Sequence, residues 1–147
     1  MVERSDDQTA LQVLDDWYRA LERCVRAVDF AGGRDLFAED VVAFGTRAEV
    51  VTGLEALEHQ QWRGIWPNIR DFTFVFDQLH AGHDGNLAWG VVPFMSTGFH
   101  PNGTPFERPG RATIILERRD GRWLAKHSHF SLYPGTPPTT HGARSFR

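Results

Sequence analysis

Apolar residues recur at steps of three and four along the first part of the chain, the spacing of an amphipathic helix. This spacing predicts one long helix over residues 5–29 and a short second helix over 30–38, with Phe30 and Phe37 directed inward. A third helix is expected to begin at Thr52-Gly53 and to end at Pro67, because proline cannot continue a helix. The first helix has its apolar positions at Leu11, Leu14, Tyr18, Leu21, Val25 and Val28.

The period then changes to two, which is typical of half-buried strands. Short strands are expected over 41–45 and 49–51, and longer strands follow the third helix through to residue 133. Turn dipeptides separate the later strands, notably Asn102-Gly103 and Asp120-Gly121. Helices followed by an antiparallel meander indicate an α+β domain.

The dipeptide Asp120-Gly121 fixes a register for the last hairpin, because a two-residue turn leaves one pairing of the flanking strands. On this register His127 and His129 share the face that turns toward the helices. The predicted pairs are Arg118 with Trp123, Leu116 with Ala125, Ile114 with His127, and Ala112 with His129.

The same reasoning across Asn102-Gly103 places Trp89 opposite Leu116, again facing inward. A loop longer than a tight turn would shift this pairing by one residue and turn Trp89 outward.

Composition narrows the class of protein. A chain of 147 residues with five Trp and eleven Phe predicts one domain, here residues 1–133, with a large apolar core. The Pro-, Gly- and Thr-rich residues 134–147 are expected to form a flexible tail. A net charge of −3 gives no basic face for nucleic acid, and no window is apolar enough to cross a membrane. One cysteine and no signal peptide favour the cytoplasm.

Several segments together resemble the nuclear transport factor 2 superfamily, and within it the SnoaL-like and ketosteroid-isomerase-like branch. The resemblance covers roughly residues 8–133. The association domain of calcium/calmodulin-dependent kinases is similar in its Arg-Arg-Asp-Gly-Lys-Trp and His-x-His ending. The segments that carry the resemblance are Leu36-Phe37-Ala38-Glu39-Asp40, Val51-Thr52-Gly53, Asp120-Gly121-Arg122-Trp123 and His127-Ser128-His129-Phe130-Ser131.

The resemblance implies a cone, in which a curved antiparallel sheet wraps around the long first helix and two shorter helices and encloses a pocket. It also implies a homodimer. It does not carry over the catalytic residues of ketosteroid isomerases, because the base falls at Gly45 and the first-helix tyrosine at Leu21. The same fold hosts many functions, so function depends on the residues in the pocket.

His127 and His129 are the main catalytic candidates, because a histidine in a cavity titrates near neutral pH and can transfer protons. Asp16 is a third candidate that could reach the mouth of the cone. No third ligand at a suitable spacing accompanies the two histidines, so we expect no metal. The proton-transfer chemistry expected of such an enzyme also needs no cofactor. The ligand-binding candidates are mostly aromatic: Trp17, Tyr18, Phe44, Trp62, Trp66, Trp89 and Ile114.

Two functions follow as alternatives. The first is a cofactor-independent enzyme that acts on a small hydrophobic molecule by proton transfer, as an isomerase, a cyclase or a dehydratase. The second is a ligand-binding or oligomerisation domain without turnover, which the missing carboxylates favour.

Overall fold

The computed structural model describes residues 2–142, with side chains from residue 9 onward. The long first helix, α1, is Val2–Ala27, and it ends where Val28 takes a left-handed φ of 53°. Helix α2 is only Phe30–Arg34, capped by the Asp29 side chain, which accepts a hydrogen bond from the Gly32 amide. A third helical segment contains α3, a π-helical turn, α4 and a 3-10 turn in succession. Their bounds are Leu54–Leu57, Glu58–Trp62, Arg63–Ile65 and Trp66–Asn68.

Eight strands make one sheet in the described part of the chain, with the central order β2-β1-β8-β7-β5-β3, and β4 and β6 also pair with β5. Neighbouring strands are antiparallel except β1 and β8, which are parallel. A short 3-10 turn, Phe76–Gln78, separates β3 from β4. The strands are β1 Phe37–Phe44, β2 Val50–Thr52, β3 Arg70–Phe74, β4 His80–Asp84, β5 Leu87–Phe99, β6 Pro105–Glu107, β7 Gly110–Arg119 and β8 Arg122–Leu132.

Helix α1 packs on β3, β4 and β5, and its buried residues form one core with the inner face of the sheet. The α+β fold predicted from the sequence, a curved sheet around a long helix, is confirmed. None of the described helices is both long and apolar enough to span a bilayer.

The second helix is shorter than predicted, since β1 begins at Phe37. Phe37 is buried as expected, but it is a strand residue that pairs with Ala125 of β8. Parallel pairing with β8 therefore extends β1 into the segment expected to be helical.

The segment expected to be a flexible tail contacts the domain as far as residue 142. Thr140 is buried, and its hydroxyl accepts a hydrogen bond from the Phe99 amide and donates one to the Asn68 carbonyl. The backbone amide of His141 also donates to the carbonyl of Phe99. Residues 143–147 of the predicted tail lie outside the described residues, and the domain boundary at 133 stays a prediction.

Candidate functional site: a cavity beneath α1

A small cavity lies between the C-terminal part of α1, the third helical segment and the inner face of the sheet. Its volume is about 50 Å³, counted as the space open to the centre of a water molecule. Its wall is mostly apolar, and the predicted candidates Phe44, Trp62 and Trp66 are part of it. Other apolar wall residues are Leu21, Val25, Phe37, Phe72, Phe94 and Phe130. Such an apolar space with a few polar groups is the usual composition of a small-molecule site.

The π-helical turn places both Trp62 and the polar Gln61 on the cavity wall. Trp62 stacks on Trp66 with ring centroids 4.6 Å apart, and both rings lie close to Gly33 of α2, where a β-carbon would clash with them. Buried Glu58 begins the turn and accepts hydrogen bonds from Arg34, at 2.9 Å, and Arg63, at 2.8 Å. These two bonds, that of Arg34 foremost, hold the pKa of the Glu58 carboxyl below its usual value. The turn is thus fixed to α2 by charge as well as by packing.

One wall of the cavity carries a chain of hydrogen bonds. The Gln61 Oε1 atom accepts from the backbone amides of Arg47 and Ala48, and its Nε2 donates to the Thr46 hydroxyl oxygen at 2.8 Å. The same Thr46 oxygen accepts a second bond, of 2.9 Å, from Nη2 of Arg108. Gly45 lies directly against Gln61, where a β-carbon would clash with the amide. Gln61 therefore shapes the loop after β1 and aligns Thr46 with Arg108.

Among the described residues that line the cavity, Arg108 alone is charged, and it is 2% exposed. Two hydrogen bonds of 2.8 Å hold the backbone of Arg108 to Ser96. The Arg108 amide donates to the Ser96 carbonyl, and the Ser96 hydroxyl donates to the Arg108 carbonyl. Burial lowers the pKa of the guanidinium to about 10, which leaves it charged at neutral pH. Among the described residues no carboxylate forms an ion pair with Arg108, and its Nε has no hydrogen-bond partner.

The prediction that His127 and His129 face the cavity is wrong. The hairpin follows the predicted register from Arg119 and Arg122 to Leu116 and Ala125, and then a bulge at Lys126 inserts one extra residue in β8. A bulge of one residue reverses the face of every following side chain. Beyond it, the residues that pair are Ile115 with His127, Ile114 with Ser128, Thr113 with His129 and Ala112 with Phe130.

The bulge brings Ser128 and Phe130 to the cavity and leaves the two histidines on the outer face. There both histidine rings contact Phe44 edge-on, and His127 Nδ1 lies 2.7 Å from the Val42 carbonyl oxygen. The catalytic role predicted for the histidines depended on an inward orientation, which the structure does not give them. Phe130 packs instead against Phe94, inside the cone.

The other predicted candidates divide between core and surface. Trp17 and Tyr18 are buried beside the cavity and do not line it: the Trp17 indole donates to the Leu36 carbonyl, and the Tyr18 hydroxyl donates to the Gly90 carbonyl. Burial raises the pKa of the Tyr18 hydroxyl well above its ordinary value. Ile114 faces inward but belongs to the core rather than to the cavity wall.

Asp16 is exposed and accepts a hydrogen bond from Gln12, so it does not reach the cavity. Phe44 is 38% exposed and lies at the mouth, where the cavity adjoins an open groove. Trp89 is 45% exposed on the outer face, because it pairs with Ile115 instead of Leu116. The connection from β5 to β7 contains β6 and is not a tight turn, which explains the shift by one residue.

Sequence reasoning missed Arg108, Thr46, Gln61 and Ser128. Ser128 was hidden by the bulge, and Arg108 lies outside any periodic segment. The adjacent Pro109 hinted only at a break in the strand. By contrast, the resemblance to ketosteroid isomerases did identify two cavity residues. Gly45 and Leu21, which take the positions of the isomerase base and tyrosine, both line the cavity, and neither carries a titratable group.

Comparison with known proteins agrees with this architecture. The family model of the SnoaL-like domain matches residues 10–135, and the chain therefore belongs to the SnoaL-like domain family. No curated protein sequence matches it.

Solved structures with the same fold belong to proteins whose assigned roles differ or are unknown. An NTF2-like protein of unknown function from Pseudomonas putida KT2440 is 21% identical, with a TM-score of 0.72, and the match covers 91% of this chain and 94% of that one. A proposed dehydratase of the NTF2-like family from Streptomyces avermitilis is 16% identical, with a TM-score of 0.72 and coverage of 88% and 99%. The association domain of C. elegans CaMKII is 16% identical, with a TM-score of 0.62 and coverage of 88% and 98%.

Proposed function

We propose that this SnoaL-like domain binds a small, mainly hydrophobic molecule in the cavity beneath α1. The observation that supports this function is the composition of the wall: aromatic and aliphatic side chains surround the space, and its polar groups are confined to Thr46, Gln61, Arg108 and Ser128. These few groups can orient a ligand while the apolar wall supplies most of the binding free energy.

Binding without turnover fits the wall better than proton-transfer catalysis does. General acid–base chemistry needs a group that changes protonation near the working pH, usually His, Asp, Glu, Lys, Tyr or Cys. The cavity wall of the described structure contains none of these residues. No residue of the described cavity wall therefore supports dehydratase activity like that proposed for the Streptomyces avermitilis protein.

A titration followed by nuclear magnetic resonance tests the proposal. The probes are butyramide and butyrate, which are small enough for a narrow cavity, and the reporters are the indole N–H signals. We expect the signals of Trp62 and Trp66 to move while that of Trp89, on the outer face, stays in place.

Two leucine variants on α1 form a matched pair for the same titration. Leu21→Phe fills the cavity and is expected to abolish the shifts, whereas Leu11→Phe, at an exposed position of the same helix, is expected to preserve them. Shifts that survive in the Leu21→Phe variant would place the ligand elsewhere. Measurable conversion of a β,γ-unsaturated ketone to its conjugated isomer would instead support an enzyme.

We also propose that the chain forms a homodimer through the outer face of the sheet. Two rows of side chains cross β1, β8, β7 and β5 on that face, and we call them the outer array. The pairing registers place its members as Val42, His127, Ile115 and Trp89 in one row and Phe44, His129, Thr113 and Val91 in the other. Exposed Val42, Phe44 and Trp89 give this face an apolar character, and the C. elegans protein of the same fold is an association domain.

Sedimentation equilibrium tests the dimer. The unmodified protein is expected to sediment as a dimer, Trp89→Lys as a monomer, and the exposed-helix control Leu11→Lys as a dimer. A monomeric unmodified protein, or a Trp89→Lys variant that remains dimeric, would contradict the assignment.

A further inference from the structure

Arg108 places a positive charge in the wall of a mostly apolar cavity, and no described carboxylate pairs with it. We propose that the ligand of this cavity carries a carboxylate group and that the guanidinium of Arg108 binds it. This inference rests on the proposed function and specifies the chemical class of its ligand.

The first support is the missing counter-charge. A guanidinium has five N–H donors, and the one side-chain hydrogen bond of Arg108 in the described structure runs from Nη2 to Thr46. No Asp or Glu side chain of the described residues lies within ion-pair distance of it. Buried charges are normally paired, because removing an ion from water is strongly unfavourable. An anionic ligand would supply the partner that the described protein lacks.

The second support is that the polar groups beside Arg108 are arranged to donate. The Thr46 oxygen already accepts hydrogen bonds from Gln61 and Arg108, so the hydroxyl proton of Thr46 remains available to a ligand. Both ends of the Gln61 amide are occupied by protein partners. Ser128 adds a second hydroxyl to the same cavity wall. This set matches a ligand with acceptor oxygens, and the planar guanidinium matches a carboxylate in particular.

The third support is that the loop does not need a charge for its own stability. Gln61 already holds the loop after β1 through three hydrogen bonds, while Arg108 adds one bond to a neutral hydroxyl. Ser96 fixes the backbone of Arg108 on both sides, so the arginine is held where it meets the cavity. A purely structural role would leave the burial of the charge unexplained.

Ligand preference provides the test. We expect butyrate to bind the unmodified protein at least roughly tenfold more tightly than butyramide, which has the same shape and no charge. The Nε–Hε signal of Arg108 is expected to move with butyrate and much less with butyramide, and this measurement needs no variant. Equal affinities for the two probes would overturn the inference and leave the proposed function intact, whereas failure of both to bind would overturn both.

Variants locate the preference at Arg108. Arg108→Met is expected to bind butyrate and butyramide equally, while Arg111→Met, the same change at an exposed arginine of β7, is expected to retain the preference. If Arg108→Met does not fold, Thr46→Val serves in its place, because it removes the free hydroxyl proton and is expected to weaken butyrate binding several-fold more than butyramide binding. A preference that persists in Arg108→Met, or that is not reduced in Thr46→Val where that variant is used, would refute the assignment.

Discussion

Gln61→Glu would place an internal carboxylate next to the charge of Arg108. The new carboxylate can keep both hydrogen bonds from the amides of Arg47 and Ala48, since these bonds use the Oε1 position. The Thr46 hydroxyl can rotate to donate to the second carboxylate oxygen, and it still accepts from Arg108. The substitution therefore preserves the hydrogen-bond chain and changes only the charge.

The magnitude follows from the geometry around Thr46. Gln61 Nε2 and Arg108 Nη2 lie 2.8 Å and 2.9 Å from the same hydroxyl oxygen. The new charge would thus lie within about 6 Å of the guanidinium, which corresponds to about 3 kcal/mol at an effective dielectric constant of ~20. Desolvation of the carboxylate offsets part of this energy, so we expect a net gain in the free energy of unfolding of about 1–2 kcal/mol. For a domain of this size the melting temperature rises by roughly 2–8 °C.

Thermal denaturation at neutral pH measures the gain, and the exposed neighbour Gln60→Glu, with the same change in net charge, is the control. The gain is expected to vanish in an Arg108→Met background, which gives a coupling energy of at least about 1 kcal/mol in the double-mutant cycle. Gln61→Glu is also expected to lose the preference for butyrate, since the internal carboxylate takes the place of the ligand. A variant that is no more stable than the unmodified protein and shows no coupling to Arg108 would refute the reasoning.

Three further predictions concern the framework of the site. Glu58→Gln is expected to destabilise the domain by about 2–4 kcal/mol in urea denaturation. Because the folded-state pKa of Glu58 is lowered, the stability that this carboxylate contributes is present above its ordinary pKa and is lost as the pH falls through the lowered value. Equal loss of stability in acid by the unmodified protein and by Glu58→Gln would contradict this. Tyr18→Phe removes a buried bond to the Gly90 carbonyl and is expected to cost about 1–2 kcal/mol by thermal denaturation, and an unchanged melting temperature would count against it. Deleting Lys126 removes the bulge and reverses the face of the residues beyond it, so we expect loss of near-ultraviolet circular dichroism, whereas Lys126→Ala is expected to keep the native spectrum.

The hairpin around Asp120-Gly121 shows how far sequence patterns reach. Its turn and its first pairs, as far as Leu116 with Ala125, follow from local chemistry and agree with the structure. The prediction fails at Lys126, since nothing in the alternation of residues marks the bulge. Beyond that point the contacts of Phe130 with Phe94 and with Phe74 of β3 accompany the reversed faces, and these partners come from distant parts of the chain.

The sequence by itself determined the α+β fold, the long first helix, the family and three aromatic residues of the cavity wall, Phe44, Trp62 and Trp66. These features depend on local periodicity and on motifs, which a single chain displays directly. Only the tertiary structure decided which polar groups reach the cavity. A bulge of one residue exchanged the two histidines for Ser128, and a loop without periodicity placed Arg108 against Thr46. Both outcomes depend on long-range packing and strand register, so no local pattern could reveal that a buried cation lines the cavity.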